Sequence, residues 1–256
     1  MDEDAGLGLV GMSDLLKRLR AAGKRVPGAI GLVRTLRSAR KYARHVPHIW
    51  RGSADIFGGY YRSNRWSSDE SRSGQGSSLA ATEAVRANLG ALLRELKVRS
   101  VLDVPCGDFH WFQHVELGDI AYTGADVVGE MVAENNRRYA RPQRRFLHID
   151  ATKQPLPQVD LVFCRDLFVH LPYSAIWQVL ANLKSSRSTY LLTTSFPDRA
   201  ANANIITGMW RPLNLEQAPF HFPPPLRLLE EQTFGPDLRK CMGLWRLTEI
   251  PASPDR

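Results

Sequence analysis

Residues 101–109 read Val101-Leu102-Asp103-Val104-Pro105-Cys106-Gly107-Asp108-Phe109, and this stretch decides the fold. A β-branched and aliphatic run ends in an acid, a proline and a glycine, which is typical of a buried parallel strand that enters a tight turn. In an open α/β sheet, ligands bind beyond the carboxyl ends of the strands, where the strand order reverses. We therefore expect this turn to border a binding site, and residues 110–115 to begin a helix.

This stretch resembles the first motif of the class I S-adenosylmethionine-dependent methyltransferases, in which an acid precedes a glycine-rich loop beneath the methionine and ribose of the cofactor. Pro105 and Phe109 stand where that motif usually has glycines, and only Gly107 remains. Dinucleotide binding needs three spaced glycines to admit a pyrophosphate, so the loop disfavours NAD. The resemblance implies S-adenosyl-L-methionine as cofactor and S-adenosyl-L-homocysteine as product. The implied contacts from this loop are Asp103, Pro105, Cys106 and Gly107. Taken alone, the stretch also fits an ordinary strand-turn-helix without a ligand.

The composition indicates one catalytic domain inside the cell. A chain of 256 residues that is 43% hydrophobic can bury one sizeable core. Cys106, Cys164 and Cys241 are far apart and form no C-x-x-C pair, so we expect reduced core thiols. No apolar run reaches the roughly 18 residues that a membrane span needs, and the acidic start does not fit a secretory signal. We expect a cytoplasmic protein that could be peripheral to a membrane.

The net charge of +8 is concentrated near the start of the chain, where residues 17–51 contain no acid. Helical spacing of apolar residues recurs over 13–22 and 30–39. Such a basic segment would meet an anionic partner, with a membrane surface as the candidate and nucleic acid less favoured. A solvated helix packed on its own domain fits equally well. We divide the chain into a basic, partly helical extension (1–57), a methyltransferase domain (58–250) and a disordered tail (251–256).

Residues 58–78 are rich in serine and glycine, but aromatic residues and charges are interleaved with them and favour an ordered loop. Ser73-Gly74-Gln75-Gly76-Ser77 leads directly into a helix with its core face at 81–96. Hydroxyls and free amides at a helix N-terminus can bind the methionine carboxylate or a substrate phosphate, whereas plain capping is the alternative. Trp66, Ser73 and Ser77 are accordingly candidate cofactor contacts, and Tyr61 is a candidate acceptor contact.

Two further strands end on acids. Residues 120–126 end on Asp126, about 20 residues past the first motif, where a carboxylate can accept both ribose hydroxyls. Asp103 and Asp126 together form the most informative pattern in the sequence. By resemblance to the family, Val127 lies beside the cofactor, Asp150 accepts from the adenine amino group and the Ala151 amide binds the ring. An acid in such a loop also commonly forms a turn.

The fourth strand, residues 159–164, is followed by an octet in which we place the chemistry. Asp166 and His170 are four residues apart, so a helical turn would bring them onto one face. His170 would then take a proton from a hydroxyl acceptor while Asp166 orients the ring. Alternatively His170 is structural, and Asp166 pairs with Arg165, which we also count as a cofactor contact. One Asp and one His do not make a metal site, so we predict no metal unless more distant acids join them.

The rest of the chain predicts a helix (173–183), a strand (190–196), a long ordered loop (197–225) and a closing antiparallel hairpin (226–230 and 242–248). Loops this long are usually functional or disordered, and the aromatic content argues against disorder. We interpret this loop as a wall of the acceptor pocket with contacts from Arg211, Asn214 and Phe220. An insertion that covers apolar surface is the alternative.

Together these patterns predict an α/β, Rossmann-like three-layer sandwich. Its seven-stranded sheet is mostly parallel with an antiparallel C-terminal strand, and a basic helical N-terminal extension precedes it. The resemblance covers residues 73–250 and is to a poorly characterised bacterial branch of this methyltransferase family. It implies methylation of a hydroxyl on a small molecule or glycan, because the Asn-Pro-Pro-aromatic tetrad of many amino-group methyltransferases is replaced by Cys164-Arg165-Asp166-Leu167. The alternatives are an N-methyltransferase acting on RNA or protein and a non-catalytic cofactor-binding scaffold.

Overall fold

The computed structural model describes residues 42–233 and 238–252. The chain divides into two compact units, residues 1–49 and residues 50–256. The helices predicted at 13–22 and 30–39 lie outside the described residues, as do most of the basic extension and residues 253–256. Among the helices that the structure describes, none has the length and apolar character needed to cross a bilayer.

The larger unit contains four α-helices and seven strands within its described residues. The helices are α1 (Ser53–Ser63), α2 (Glu83–Glu95), α3 (Gly129–Tyr139) and α4 (Tyr173–Ser185). The strands are β1 (Ser100–Asp103), β2 (Ala121–Asp126), β3 (Arg144–His148), β4 (Leu161–Cys164), β5 (Tyr190–Ser195), β6 (Arg227–Thr233) and β7 (Arg239–Arg246).

The strands form one seven-stranded sheet in the order β3-β2-β1-β4-β5-β7-β6. β1 pairs in parallel with both β2 and β4, whereas β7 pairs antiparallel with β5 and β6. The predicted fold class is therefore confirmed, including the antiparallel closure by the last strand. The strand order reverses between β1 and β4, so the carboxyl ends of these two strands border the crevice.

Alternation along the strands divides the core between the two faces of the sheet. Leu102, Val162 and Leu191 belong to a cluster that includes the buried face of α4. Val101 and Leu161 belong to the opposite cluster, which includes the buried face of α2 and one residue of α3. The helices thus cover both faces, and the polar carboxyl ends of the strands are left for a site.

Two predicted helix starts are wrong. After β1 the chain forms only a 3-10 turn, Phe112–His114, because the bulky aromatic side chains of this connection are buried in the core. Upstream, α2 begins at Glu83 and not directly after Ser77, because residues 78–82 form turns closed by the Ser78 hydroxyl and carbonyl. The predicted anion site at the N-terminus of an α-helix is therefore not formed by residues 73–77.

Phe109 has a left-handed backbone conformation, with φ of +58°, at a position where the methyltransferase motif usually has glycine. Its ring is 1% exposed and lies 5.1 Å from the ring centres of both Tyr122 and Phe146. A left-handed conformation costs a non-glycine residue about 1–2 kcal/mol. Burial of the aromatic ring offsets that strain and lets a non-glycine residue occupy this position.

At Phe109 a glycine variant should therefore be more stable than an alanine variant, which reverses the usual order of stability. Phe109→Ala should lower the free energy of unfolding by about 3–5 kcal/mol, because a large buried ring is lost while the strain stays. Phe109→Gly loses the same ring but relieves the strain, so we expect it to be the more stable of the two by about 0.5–1 kcal/mol. Urea denaturation measures both variants.

Phe112 provides the matched control, because it is equally buried and its φ is not positive. There the alanine variant should be more stable than the glycine variant. The same order at both positions would contradict the argument from strain.

Candidate functional site

The carboxyl ends of β1 and β2 are joined by backbone hydrogen bonds and by one carboxylate. The Cys106 amide donates to the Ala125 carbonyl oxygen at 2.9 Å. Asp126 accepts from the amides of Gly107 and Val128 at 3.1 and 3.0 Å. Burial raises the pKa of Asp126 to about 6 although these amides act in the opposite direction. Each carboxylate oxygen keeps a lone pair, so Asp126 can accept further hydrogen bonds from a ligand hydroxyl.

Asp103, the last residue of β1, has a different hydrogen-bond partner. Its carboxylate accepts from the Tyr122 hydroxyl at 2.7 Å and is 2% exposed. Burial raises the pKa of Asp103 to about 8, with the hydroxyl acting in the opposite direction and the charge of Asp126 in the same one. Burial therefore favours the protonated form of Asp103, and the contact of Asp103 with a cofactor stays a prediction.

Residues 66–78, here called the strap, lie against the loop that follows β1. The ordered loop predicted over 58–78 is therefore confirmed only after α1, which extends to Ser63. The strap is held by Asp108, whose carboxylate accepts from the Ser71 hydroxyl and from the Arg72 amide at 2.7 Å. Ser73 packs so closely on Gly107 that a Cβ there would lie 2.3 Å from the Ser73 hydroxyl oxygen. Gly107 also has φ of +56°, so the remaining glycine of the motif is required for two reasons.

At the end of β3, Asp150 uses its carboxylate within its own turn. Its Oδ1 accepts from the amide and hydroxyl of Thr152 at 3.0 and 2.6 Å, while Oδ2 lies 3.3 Å from the Lys153 ammonium. In this structure Asp150 therefore forms a turn, which was the alternative to binding the adenine amino group. Ala151 is 7% exposed, and no hydrogen bond from its amide is seen within the described part of the chain, so its binding to an adenine ring stays a prediction.

A buried cluster of four charged side chains lies beyond β4. The guanidinium of Arg165 pairs with Glu231 and donates to the Gly76 carbonyl oxygen of the strap at 2.8 Å. The Lys240 ammonium lies 2.6 Å from Asp166 and 2.9 Å from Glu231. Burial opposes ionisation of Asp166, but the charges of Lys240 and Arg165 outweigh it and hold the pKa of its carboxyl well below the ordinary range. Arg165 thus anchors the strap, which corrects its predicted direct contact with a cofactor.

The predicted orientation of His170 by Asp166 is wrong. Asp166 adopts φ of +60° and precedes a 3-10 turn, Phe168–His170, so the two side chains do not share a helical face. The carboxylate of Asp166 is taken by Lys240. The ring of His170 instead has Nδ1 2.9 Å from the Met209 carbonyl oxygen, which can only accept, so Nδ1 carries the proton and Nε2 keeps its lone pair.

His170 is half-buried beside the strap. Its ring centre lies 6.1 Å from that of Trp66, which in turn packs edge-on against Tyr60 at 5.4 Å. Burial lowers the pKa of His170, and the positive charges of Arg211 and Lys240 act in the same direction. The Met209 carbonyl and the charge of Asp166 oppose the shift. His170 is therefore a neutral base at pH 7.

Residues 197–225, here called the cover loop, are ordered, but three predicted acceptor contacts in it are corrected. Arg211 donates to the carbonyl oxygens of Phe168 and Leu171 at 2.6 and 2.9 Å. Asn214 donates within the cover loop to two carbonyl oxygens at 3.0 and 2.9 Å. Phe220 is fully buried in the core. Arg211 thus holds the loop to the domain, Asn214 stabilises the loop internally, and Phe220 packs in the core.

The remaining predicted contacts are distributed around this edge. Pro105 and Ser77 are half-buried, and the Val127 carbonyl oxygen accepts from the His148 ring at 3.0 Å. Cys106 is buried, and all three cysteines are free and buried as predicted. Tyr61 lines a polar cleft of about 350 Å³ together with Arg72, Asp108 and Asn135, beside the strap and the loop that follows β1. In the described residues no group of three or more His, Cys, Asp or Glu side chains is arranged to hold a metal.

Sequence reasoning missed Asp108, Glu231, Lys240 and Met209. Asp108 directly follows the motif glycine, and that position in the sequence could have suggested a role in the loop. Glu231 and Lys240 lie on the last two strands. They pair with Arg165 and Asp166 after β4, which are 66 and 74 positions away along the chain. Met209 acts only through its carbonyl oxygen, which no side-chain pattern can reveal.

Residues 101–186 match the family model of the methyltransferase domain. No curated protein sequence matches the chain. Among solved structures, 1,6-didemethyltoxoflavin-N1-methyltransferase from Burkholderia thailandensis, with bound 1,6-didemethyltoxoflavin and S-adenosylhomocysteine, is similar. It is 15% identical with a TM-score of 0.54, over 80% of this chain and 89% of that one. Magnesium protoporphyrin IX methyltransferase from Synechocystis PCC 6803 is 15% identical over 75% of this chain and 96% of that one, with a TM-score of 0.49.

The family match covers the stretch from β1 to α4, and the likeness to the Burkholderia structure extends the shared fold to most of the chain. The strand order of the sheet agrees with this Rossmann-like methyltransferase fold. Residues 101–186 therefore match a methyltransferase domain, and the chain has the Rossmann-like fold of the class I S-adenosylmethionine-dependent methyltransferases.

Proposed function

We propose that the protein transfers a methyl group from S-adenosylmethionine to a hydroxyl of a small molecule or sugar, with His170 as the proton acceptor. One observation carries the choice of a hydroxyl: the His170 ring donates from Nδ1 to a carbonyl and keeps an unprotonated Nε2 at the carboxyl edge of β4. A hydroxyl acceptor has to lose a proton during transfer, and a neutral imidazole is suited to take it.

The residues at the ends of β1 to β3 fit the adenosine half of the cofactor. Asp126 has lone pairs left for the ribose hydroxyls, and the Ala151 amide would bind the adenine ring. The half-buried Pro105 and Gly107 form the floor between the strap and the strand ends. Asp126 would hold the ribose, whereas Asp103 below it would stabilise the loop in its protonated form.

When bound, S-adenosylmethionine supplies a methyl group on a sulfonium, which is already a good leaving group. The chain therefore has to position the acceptor oxygen more than it has to activate it. The strap and the cover loop, held by Asp108, Arg165 and Arg211, would fix the reacting groups and exclude water. His170 would receive the hydroxyl proton at Nε2, and Asp166, neutralised by Lys240, would take no part in proton transfer.

A small acceptor is supported by the cover loop, which adds an ordered, aromatic-rich segment of the domain between β5 and β6. The similar Burkholderia enzyme holds a small molecule in its structure, although it methylates a nitrogen. An N-methyltransferase acting on RNA through residues 17–51 is the rival. Binding to RNA would weaken steeply with ionic strength, whereas binding of a sugar would change little.

The proposal is tested in two steps. Calorimetric titration with S-adenosylmethionine should show binding, and its absence would exclude an enzyme of this family. Incubation of cell extract with the protein and isotopically labelled cofactor should then identify the compound that gains a methyl group. A methylated nitrogen would replace the hydroxyl proposal.

Replacing Asp126 should weaken cofactor binding. Asp126→Asn should lower the affinity for S-adenosylmethionine about 10- to 100-fold at pH 7.5, because hydrogen bonds to an ionised carboxylate are lost. Since ribose hydroxyls favour the ionised form, affinity in the wild type should fall as the pH drops below about 6. The variant should lack this pH dependence. Asp119→Asn removes the same charge from an exposed site and should bind normally.

Replacing His170 should affect catalysis and leave cofactor binding unchanged. His170→Asn should lower kcat by about 10²- to 10⁴-fold with a hydroxyl acceptor. In the wild type, kcat/KM should be constant above pH 7 and fall as His170 gains a proton below its ordinary pKa of about 6.5. The exposed His114→Asn variant serves as the control. Normal turnover by the His170 variant would show that no base acts here.

A further inference from the structure

We propose that Arg211 is a positioning residue for His170, acting through the backbone that carries the histidine. The inference rests on the proposed function, because it assigns how the base of that site is held. It also replaces the sequence-based prediction that Arg211 contacts the acceptor.

Arg211 and Gly208, both in the cover loop, bind the whole turn that bears His170. The two Nη atoms of Arg211 donate to the carbonyl oxygens of Phe168 and Leu171, on either side of the histidine. The Arg211 amide donates to the Val169 carbonyl oxygen at 3.1 Å. The Gly208 amide donates to the carbonyl oxygen of His170 itself at 2.9 Å. Four successive carbonyl groups are thus bound by residues 208–211.

The same contacts position the Met209 carbonyl group, which is the hydrogen-bond partner of the imidazole. Met209 lies between Gly208 and Arg211, so fixing these two residues fixes the carbonyl oxygen that accepts from Nδ1. A neutral imidazole can carry its proton on either nitrogen, and the hydrogen bond of one nitrogen decides the state of the other. Without the Met209 carbonyl, the proton could occupy Nε2, and the ring could not accept the proton of a hydroxyl there.

The local backbone needs such support. The turn is a 3-10 helix of three residues, Phe168–His170, and Asp166 just before it has a left-handed conformation. Arg211 is 6% exposed, and its Nε also donates to the Ala203 carbonyl oxygen at 2.9 Å, so the guanidinium is held by three backbone carbonyl groups. A planar fork with fixed N–H directions suits two carbonyl oxygens, whereas a lysine ammonium cannot reproduce both contacts.

The charges that face His170 act together. The positive charges of Arg211 and Lys240 lower its pKa, and the charge of Asp166 raises it. Arg211→Lys keeps the positive charge and removes the fork, so it separates positioning from electrostatics. A change in the tautomer of His170 in this variant would report positioning.

The experiment is nitrogen-15 NMR of the histidine side chains at pH 7.5, with the His170 signal assigned by its absence in His170→Asn. The wild type should show His170 protonated at Nδ1 alone. Arg211→Lys should show exchange between the two tautomers, and kcat should fall by about 10- to 100-fold with little change in the KM for S-adenosylmethionine. Arg199→Lys, in the exposed part of the same loop, should match the wild type in both measurements.

An unchanged tautomer in folded Arg211→Lys would overturn the proposal. If that variant does not fold, Gly208→Ala tests the same contacts, because a Cβ there would lie 2.6 Å from the Tyr60 hydroxyl oxygen and displace the loop. It should also release the Nδ1 tautomer, and retention of that tautomer would overturn the proposal. The tautomer measurement needs no acceptor. Full activity of His170→Asn would refute the proposed function while leaving the result on Arg211 intact.

Discussion

The buried pair of Arg165 and Glu231 is the interaction on which the site depends. Removing two charged groups from water costs several kcal/mol each, so they persist inside a domain only when both are paired. Here the two side chains are 5% and 0% exposed, and Lys240 and Asp166 complete a neutral cluster. Because Arg165 follows β4 while Glu231 and Lys240 lie on β6 and β7, the cluster joins the parallel and antiparallel parts of the sheet. The same guanidinium holds the strap at the Gly76 carbonyl oxygen.

Acids of the same type perform different tasks around this edge because their surroundings differ. Asp103 is buried beside a hydroxyl and keeps its proton, whereas Asp126 is bound by two amides and titrates near pH 6. Asp108 and Asp150 accept backbone amides and shape loops, and Asp166 is kept ionised by two cations. A row of acids at strand ends therefore locates a binding edge without assigning each acid a role.

Much of the fold could be predicted, since each apolar run that ends on an acid became a parallel strand of the sheet. The family resemblance, drawn from 101–109 and the acid at 126, also agreed with the family match. Predictions failed where long-range contacts override local spacing. The spacing of Asp166 and His170 indicated a shared helical face, but Lys240, 74 positions from Asp166, takes its carboxylate. Arg211 and Asn214 looked like acceptor contacts because a polar side chain in a loop does not show whether its partner is a ligand or a backbone carbonyl.

The sequence by itself determined the sheet, the layers and the edge at which chemistry is expected, because strand burial and turn residues are properties of neighbouring positions. Only the tertiary structure decided that Phe109 keeps a glycine-like backbone through burial of its ring, and that His170 is oriented by the Met209 carbonyl. Those outcomes depend on backbone groups and side chains far apart along the chain, and their energies arise only once the sheet has brought them together.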